Sequence, residues 1–178
     1  MTTDRLLDRD LLRRAFDLLA TKLASRHVVG ELHVFGGAAM VLAFDDRAAT
    51  RDVDALFRPD GAVLEVAWEV AGELGLPKSW LINQASSYVS GRAGRGTPVY
   101  DHPNLRVLTT PREHLLAMKV RAARAARDAD DLRLLLRTLD VRTVEEVVDI
   151  VARYFPDEPI SARSRQLVED LLEPGAGL

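Results

Sequence analysis

Cysteine is absent from the 178-residue chain, which excludes disulfides, thiol nucleophiles and cysteine-ligated metal sites. No apolar run approaches the ~20 residues that a membrane-spanning helix needs, so we expect no membrane contact. The first residues lack a basic segment followed by an apolar stretch, so we expect no signal peptide and a cytoplasmic location. With 47% hydrophobic and 29% charged residues, the composition is typical of a globular domain.

The chain as a whole also lacks a large excess of positive or negative residues, and its formal net charge is −3. This excludes a protein that is basic throughout, as many nucleic-acid binders are. The charge is nevertheless uneven, because residues 86–127 carry a net charge of +6 and the remainder −9. A local basic zone fits a phosphate-bearing partner, although long arginine side chains that solvate helix faces explain it equally well.

Hydrophobic periodicity, capping residues and turn residues predict α/β elements first and an almost purely helical C-terminal third. We expect residues 77–104 to be loops with one or two short strands near Tyr88 and Val99. Trp68 lies on an apolar helix face and is expected in the core, and Trp80 in a loop is expected at the edge of the core. The predicted elements are a helix capped by Asp4, a strand over 32–35, a helix over 38–44, a strand over 53–57, a helix over 62–74, a strand over 105–108, a helix over 111–126 that starts in a Thr110–Glu113 capping box, a helix capped by Asp128 that runs to Leu139, a helix that starts in a Thr143–Glu146 capping box, and a last helix over 161–172.

Two adjacent glycines, Gly36 and Gly37, separate the first predicted strand from the short helix that follows it. Glycines at such a junction let the backbone approach a ligand closely and leave the free N–H groups of the helix directed at it. This arrangement favours a phosphate group. A simple tight turn is the alternative for this pair taken alone.

Two carboxylates, Asp52 and Asp54, begin the next predicted strand. Side chains alternate along a strand, so the two project from one face. Two parallel carboxylates can hold Mg²⁺, whose other ligands are typically water and substrate phosphates, and such ions stabilise displacement at phosphorus. A solvated edge or a turn cap is the alternative for Asp-x-Asp alone. The diglycine and the carboxylates at this spacing indicate a phosphate-handling site more specifically than either does alone.

The order of these motifs resembles the nucleotidyltransferase superfamily of the DNA polymerase beta type, in particular the compact nucleotidyltransferase toxins of the abortive-infection and MenT type. The first signature is Gly-Gly, a short helix, and Arg-x-x-Thr-x-Asp-x-Asp over 47–54. The second is Leu-Leu-Ala-Met-Lys over 115–119, followed by an arginine-rich helix and Arg-Asp-Ala-Asp-Asp-Leu over 127–132. The two signatures cover much of residues 34–136.

The resemblance implies an α+β nucleotidyltransferase fold. Residues 1–110 would form an α/β core around a small mixed sheet flanked by helices. Residues 111–178 would form a helical part that closes the active-site cleft, and the two would make one compact unit. The implied reaction transfers a nucleotidyl group from an NTP to an acceptor hydroxyl and releases pyrophosphate. In the toxin branch the acceptor is often a tRNA 3′ end, and an antitoxin protein restrains the enzyme.

The resemblance also assigns roles to particular residues. Asp52 and Asp54 would be catalytic and bind Mg²⁺ or Mn²⁺. Lys119 would contact the triphosphate, and Asp131, less so Asp130, would close the site from the helical half. Nucleotide binding would fall to Gly36, Gly37, Arg47, Thr50 and Lys119. Four further arginines would either contact RNA or only be solvated on their helix or loop: Arg92, Arg95, Arg121 and Arg124.

Several alternatives stay open at this point. The wider superfamily commonly has a third carboxylate on a later strand, but Asp101 lies in a stretch that reads as a turn, so the site has either one or two metals. The acceptor could be a protein hydroxyl, or the fold could bind nucleotide or RNA without catalysis. The histidines do not show the spacing of a metal site, and alternation with Phe35 on the strand indicates that His33 is packed.

Overall fold

The structure, a computed structural model, describes residues 5–44, 48–83, 96–122 and 125–173. A single 3-10 turn over Lys78–Trp80 precedes the fifth strand. The helices and strands, in chain order, are β1 (Leu7–Asp8), α1 (Arg9–Ser25), β2 (Gly30–Val34), α2 (Gly36–Ala43), β3 (Ala49–Thr50), β4 (Val53–Arg58), α3 (Asp60–Leu74), β5 (Leu81–Ile82), β6 (Thr97–His102), β7 (Leu105–Thr109), α4 (Arg112–Ala122), α5 (Ala125–Thr138), α6 (Val144–Tyr154) and α7 (Ala162–Leu172).

Strand β2 lies at the centre of a five-stranded mixed sheet. It pairs antiparallel with β4 on one side and parallel with β7 on the other. The full order is β5-β4-β2-β7-β6, and β1 pairs with β3 in a separate two-stranded antiparallel sheet. A mixed sheet combined with helices that cluster late in the chain confirms the predicted α+β class.

Helices α1 and α3 cover one face of the five-stranded sheet. Gly30 on β2 points at both of them, because a Cβ placed there would lie 2.9 Å from Leu23 of α1 and 3.4 Å from Val63 of α3. Residues that alternate with this buried set, such as His33, Asp54 and Leu56, are only half-buried and point to the opposite side. We call this opposite side the far face.

Contacts divide the described chain into two compact units, the first ending at residue 110 and the second starting at residue 111. In the second unit, helix α4 contacts α5, α6 and α7. The predicted capping box is confirmed at Thr143 and Glu146, and the hydroxyl of Ser161 caps α7. The apolar side chains buried in this unit include Leu115, Leu116, Val120, Leu132, Leu135, Leu136, Val147, Val151 and Val168.

Two helix starts differ from the predicted ones. Helix α1 is capped by Asp8, whose carboxylate accepts a 2.8 Å hydrogen bond from the N–H of Leu11, whereas the predicted cap Asp4 lies outside the described residues. The α5 helix starts at Ala125, so Asp128 lies in its first turn instead of preceding it. The hydroxyl of Thr110 donates to the carbonyl of Val34, which ties the end of β7 to β2.

Both tryptophans lie in environments that differ from the predicted ones, Trp68 more exposed and Trp80 more buried than expected. Trp68 on α3 is 43% exposed, so its predicted core position is wrong, and the ammonium group of Lys78 lies over its ring. Trp80 is fully buried, and its indole N–H donates to the carbonyl of Ala67 at 2.8 Å. A carbonyl partner removes the cost of burying the polar atom of Trp80.

Among the described residues of the region 77–104, the strands are β5 and β6. Strand β6 contains Val99, near which a strand was predicted, and Tyr88 lies outside the described residues. Asp101 lies within β6 instead of in a turn, and the turn is at Pro103 and Asn104. None of the helices in the described residues is long and apolar enough to cross a membrane.

Candidate functional site

The diglycine forms the first turn of α2, directly after β2. Gly36 has φ +56°, a backbone conformation that side-chain-bearing residues rarely adopt, and no atom lies within 4 Å of the place where a Cβ would be. The residue before it, Phe35, occupies the N-cap position, and no side chain there accepts a hydrogen bond from the helix. The first N–H groups of α2 are therefore suited to an anionic ligand that approaches Gly36 closely.

Helix α2 is held firmly at its other end. The guanidinium group of Arg9 donates to the carbonyl of Val41 at 3.0 and 3.2 Å, which places a positive charge where the helix dipole is negative. The middle of the helix is anchored by buried side chains, Ala38, Ala39, Met40 and Val41. The open N-terminus thus belongs to a helix whose position is fixed by packing.

Strand β4, which starts between the two carboxylates, lies next to the diglycine. The N–H of Phe35 donates to the carbonyl of Asp54 at 2.8 Å, which extends the β2–β4 pairing by one residue. Asp54 therefore lies directly across from the residue that precedes Gly36. Asp54 points to the far face, and Asp52 lies two residues earlier, immediately before Val53, the first residue of β4. Both are half-buried, and the Oδ1 atom of Asp54 is shielded from solvent.

Thr50 supports the carboxylates from behind. Its side chain is 7% exposed, and its hydroxyl donates to the carbonyl of Asp52 at 3.2 Å. Strand β3, to which Thr50 belongs, pairs with β1, where Thr50 lies opposite Leu7. The hydroxyl thus holds the backbone that leads into β4.

Asp52 and Asp54 supply the kind of oxygen ligand that Mg²⁺ or Mn²⁺ prefers. Mg²⁺ is commonly bound by one or two carboxylates, with water and substrate phosphates completing its octahedron. Among the described residues, no group of three or more acidic or histidine side chains could hold a metal. Two carboxylates are nevertheless sufficient where a polyphosphate supplies the remaining oxygens.

Asp101 is too distant to be the third carboxylate. It pairs with Arg106 of β7, which pairs with Glu31 of β2, and Glu31 is four residues from Phe35. With ~3.3 Å per residue along a strand and ~4.8 Å between strands, Asp101 is about 20 Å from Asp54. It lies instead at the end of a row of exposed side chains with alternating charge on four neighbouring strands, Arg58, Glu31, Arg106 and Asp101.

Lys119 and Asp131 meet in the second unit. The Nζ atom of Lys119 lies 2.7 Å from Oδ2 of Asp131 and 3.0 Å from Oδ1 of Asp128. Lys119 is 9% exposed and Asp131 3% exposed, so this is a buried ion-pair cluster that joins α4 to α5. Two of the three ammonium donors are engaged, and the ammonium group is therefore fixed in place.

Asp128 is the member of this cluster that the sequence interpretation missed, since it was assigned to a helix cap. Its spacing from Asp131 was the available signal, because residues three apart share one helix face. Asp130 is separated from the cluster: its side chain is 95% exposed and pairs with Arg133 at 3.1 Å. Of the two adjacent aspartates, Asp131 is the one that contacts Lys119.

The predicted arginines are only partly described. Arg121 is described: its guanidinium group lies 3.9 Å from the ring centre of Phe155 and forms an ion pair with Glu158. These contacts give Arg121 a structural role in the second unit. The other four predicted arginines, Arg47, Arg92, Arg95 and Arg124, lie outside the described residues.

Comparison of the chain with protein-family models, with curated proteins and with solved structures finds no match.

Proposed function

We propose that this chain is a metal-dependent nucleotidyltransferase that transfers a nucleotidyl group from an NTP to an acceptor hydroxyl, at a tRNA 3′ end. The observation that carries this proposal is the hydrogen bond from the Phe35 N–H to the Asp54 carbonyl. It brings the uncapped start of α2 next to the segment that carries Asp52 and Asp54. The resemblance of the two signatures supports the choice of reaction.

The residues of the first unit would share the work as follows. The free N–H groups at the start of α2, where Gly36 permits close approach, would bind the triphosphate. Asp52 and Asp54 would hold Mg²⁺, whose charge neutralises the phosphate oxygens during displacement at phosphorus. Thr50 keeps Asp52 in place through the backbone. Fixed donors and charges of this kind are usually the main contribution to such a transfer.

In the reaction, the oxygen of the acceptor hydroxyl forms a bond to the α-phosphorus, and the bond from that phosphorus to the pyrophosphate oxygen breaks. A carboxylate oxygen of Asp54 takes the hydroxyl proton, and pyrophosphate leaves with the electron pair. For Lys119, which pairs with Asp128 and Asp131, the resemblance implies that it would offset negative charge on the triphosphate.

Radiolabelled transfer tests the proposal. Purified protein is incubated with each α-³²P NTP, Mg²⁺ and total tRNA, and RNA and protein are separated on gels. We expect label in the tRNA with wild type, and at least a hundredfold less with Asp52→Asn or Asp54→Asn. The matched control is Asp101→Asn, because Asp101 is an exposed carboxylate on the same sheet, remote from the diglycine.

The other outcomes separate the alternatives. Label in a protein band would replace tRNA by a protein acceptor. NTP binding without release of pyrophosphate would indicate a binding module, and equal labelling by Asp52→Asn and wild type would overturn the proposal.

We further propose that the chain is the toxin of a toxin–antitoxin pair. Expression alone should then arrest growth, Asp52→Asn should relieve the arrest, and normal growth with soluble wild type would contradict toxicity.

A further inference from the structure

We propose that His33 contacts the nucleoside part of the bound NTP, so that the candidate site extends from the diglycine along the far face of the sheet. This inference rests on the proposed function, because it assigns a binding residue to the same site. The proposal starts from register. His33 lies opposite Leu56 in the β2–β4 pairing, so Asp54 is its diagonal neighbour on the same face. Diagonal neighbours in antiparallel strands are about 7–8 Å apart, which suits the separation between a triphosphate and its sugar.

The imidazole ring of His33 is held in one orientation. It stacks on Phe35 with ring centres 5.0 Å apart and planes 14° from parallel. Gly96, the residue before β6, approaches so closely that a Cβ there would lie 3.1 Å from Cε1 of His33. Leu56 and Leu108 lie directly across from His33 on the flanking strands. A ring fixed on several sides is preorganised for binding.

The Nε2 atom of this ring is the unusual feature. It is buried, yet among the residues that the structure describes it has no hydrogen-bond partner. Buried polar side-chain atoms are nearly always hydrogen-bonded, and one that is not calls for an explanation such as a ligand. A hydroxyl of the sugar, or a polar edge of the base, would supply the missing partner.

The charge state of His33 agrees with such a contact. Burial lowers the pKa of His33 below its ordinary value, and the carboxylate of Glu31 on the same strand opposes that shift only in part. The other charged groups on the far face nearby are Asp54 and Arg58 of β4 and Arg106 of β7. The ring is therefore neutral at pH 7, and a neutral imidazole can either donate or accept one hydrogen bond.

Calorimetric titration in the presence of Mg²⁺ tests this inference without relying on turnover. Two ligands are compared, a non-hydrolysable NTP and inorganic triphosphate, which lacks the nucleoside. His33→Phe keeps an aromatic ring to stack on Phe35 and removes the nitrogen. We expect His33→Phe to weaken NTP binding about tenfold, the value of one hydrogen bond, and to leave triphosphate binding unchanged. His27→Asn is the matched control, since His27 is exposed and has φ +55°, which asparagine tolerates.

Each result decides the inference. NTP binding by His33→Phe that equals wild type overturns it and leaves the proposed function standing. Equal weakening of NTP and triphosphate also overturns it, because the effect would then be general disruption of the site. Failure of wild type to bind either ligand would overturn both proposals. Comparison of the ribo- and deoxyribonucleotide distinguishes the sugar hydroxyl from the base as the contacted group.

Discussion

Replacing Asp131 by asparagine should strongly destabilise the second unit. Asp131 is 3% exposed and lies 2.7 Å from the ammonium group of Lys119, which is itself buried. Removing one partner of a buried ion pair typically costs about 3–5 kcal/mol, because the other charge stays buried. Asp128 remains 3.0 Å from Lys119 and compensates in part. We therefore expect a loss at the lower end, about 3 kcal/mol, which is about 6–12 °C in the melting temperature of a chain of this size.

The neighbouring residue offers a matched control. Asp130 has the same side chain on the same helix, but it is 95% exposed and pairs with Arg133 at 3.1 Å. Exposed ion pairs contribute about 0–1 kcal/mol, so Asp130→Asn should be nearly neutral. Urea denaturation followed by circular dichroism at 222 nm measures both variants. Equal midpoints for Asp131→Asn and Asp130→Asn would refute the reasoning, which attributes the difference to the buried ion pair of Asp131 with Lys119.

Three further predictions concern single positions. Gly36→Ala should destabilise the protein by about 1 kcal/mol because the φ of Gly36 is +56°. Gly72→Ala, in the last turn of α3 with open space around it, should stabilise the protein by about 0.5–1 kcal/mol, and thermal melts in which both variants shift in the same direction would contradict this. Thr143→Ala should cost about 1 kcal/mol in urea denaturation because it removes half of a capping box, and an unchanged midpoint would argue against that role. Burial lowers the pKa of His33 in the folded protein. Below about pH 6.5 the unfolded chain therefore binds a proton at His33 more readily than the folded chain does, and the free energy of unfolding decreases as the pH is lowered. Denaturation at pH 7.5 and 5.5 should show a smaller fall for His33→Phe than for wild type, and identical falls would disprove it.

The local parts of the candidate site could be predicted from sequence alone. A strand, two glycines, a helix and a second strand that starts with Asp-x-Asp are each encoded within a few residues. Gly36 does adopt a conformation that favours glycine, and Asp52 and Asp54 do flank the start of a strand. Periodicity and turn chemistry act over such short distances, so these features do not depend on the rest of the fold.

Features that depend on tertiary packing could not be predicted in this way. Helical periodicity predicted that Trp68 lies in the core. Periodicity does not show which part of an apolar helix surface is covered by the rest of the protein. The buried tryptophan is Trp80, whose burial depends on the carbonyl of Ala67. Likewise, the distance from Asp101 to Asp54 follows only from the register of three strand pairs, which no local pattern specifies.

The Lys119 cluster lies between these two cases. A lysine within an apolar run indicated a group held inside for a reason. Its partners, Asp128 and Asp131, lie on the next helix, and their three-residue spacing already placed them on one face. The sequence could therefore have suggested both carboxylates, whereas only the packing of α4 on α5 brings them to the ammonium group.

Binding of Mn²⁺ measured by electron paramagnetic resonance tests the central claim most directly. The claim is that Asp52 and Asp54, beside the diglycine, together hold the metal ion of a metal–nucleotide complex. We predict that wild type binds Mn²⁺ tightly only when a non-hydrolysable NTP is present, that Asp52→Asn and Asp54→Asn each lose this binding, and that Asp101→Asn retains it. Unchanged NTP-dependent Mn²⁺ binding by folded Asp54→Asn would contradict the account.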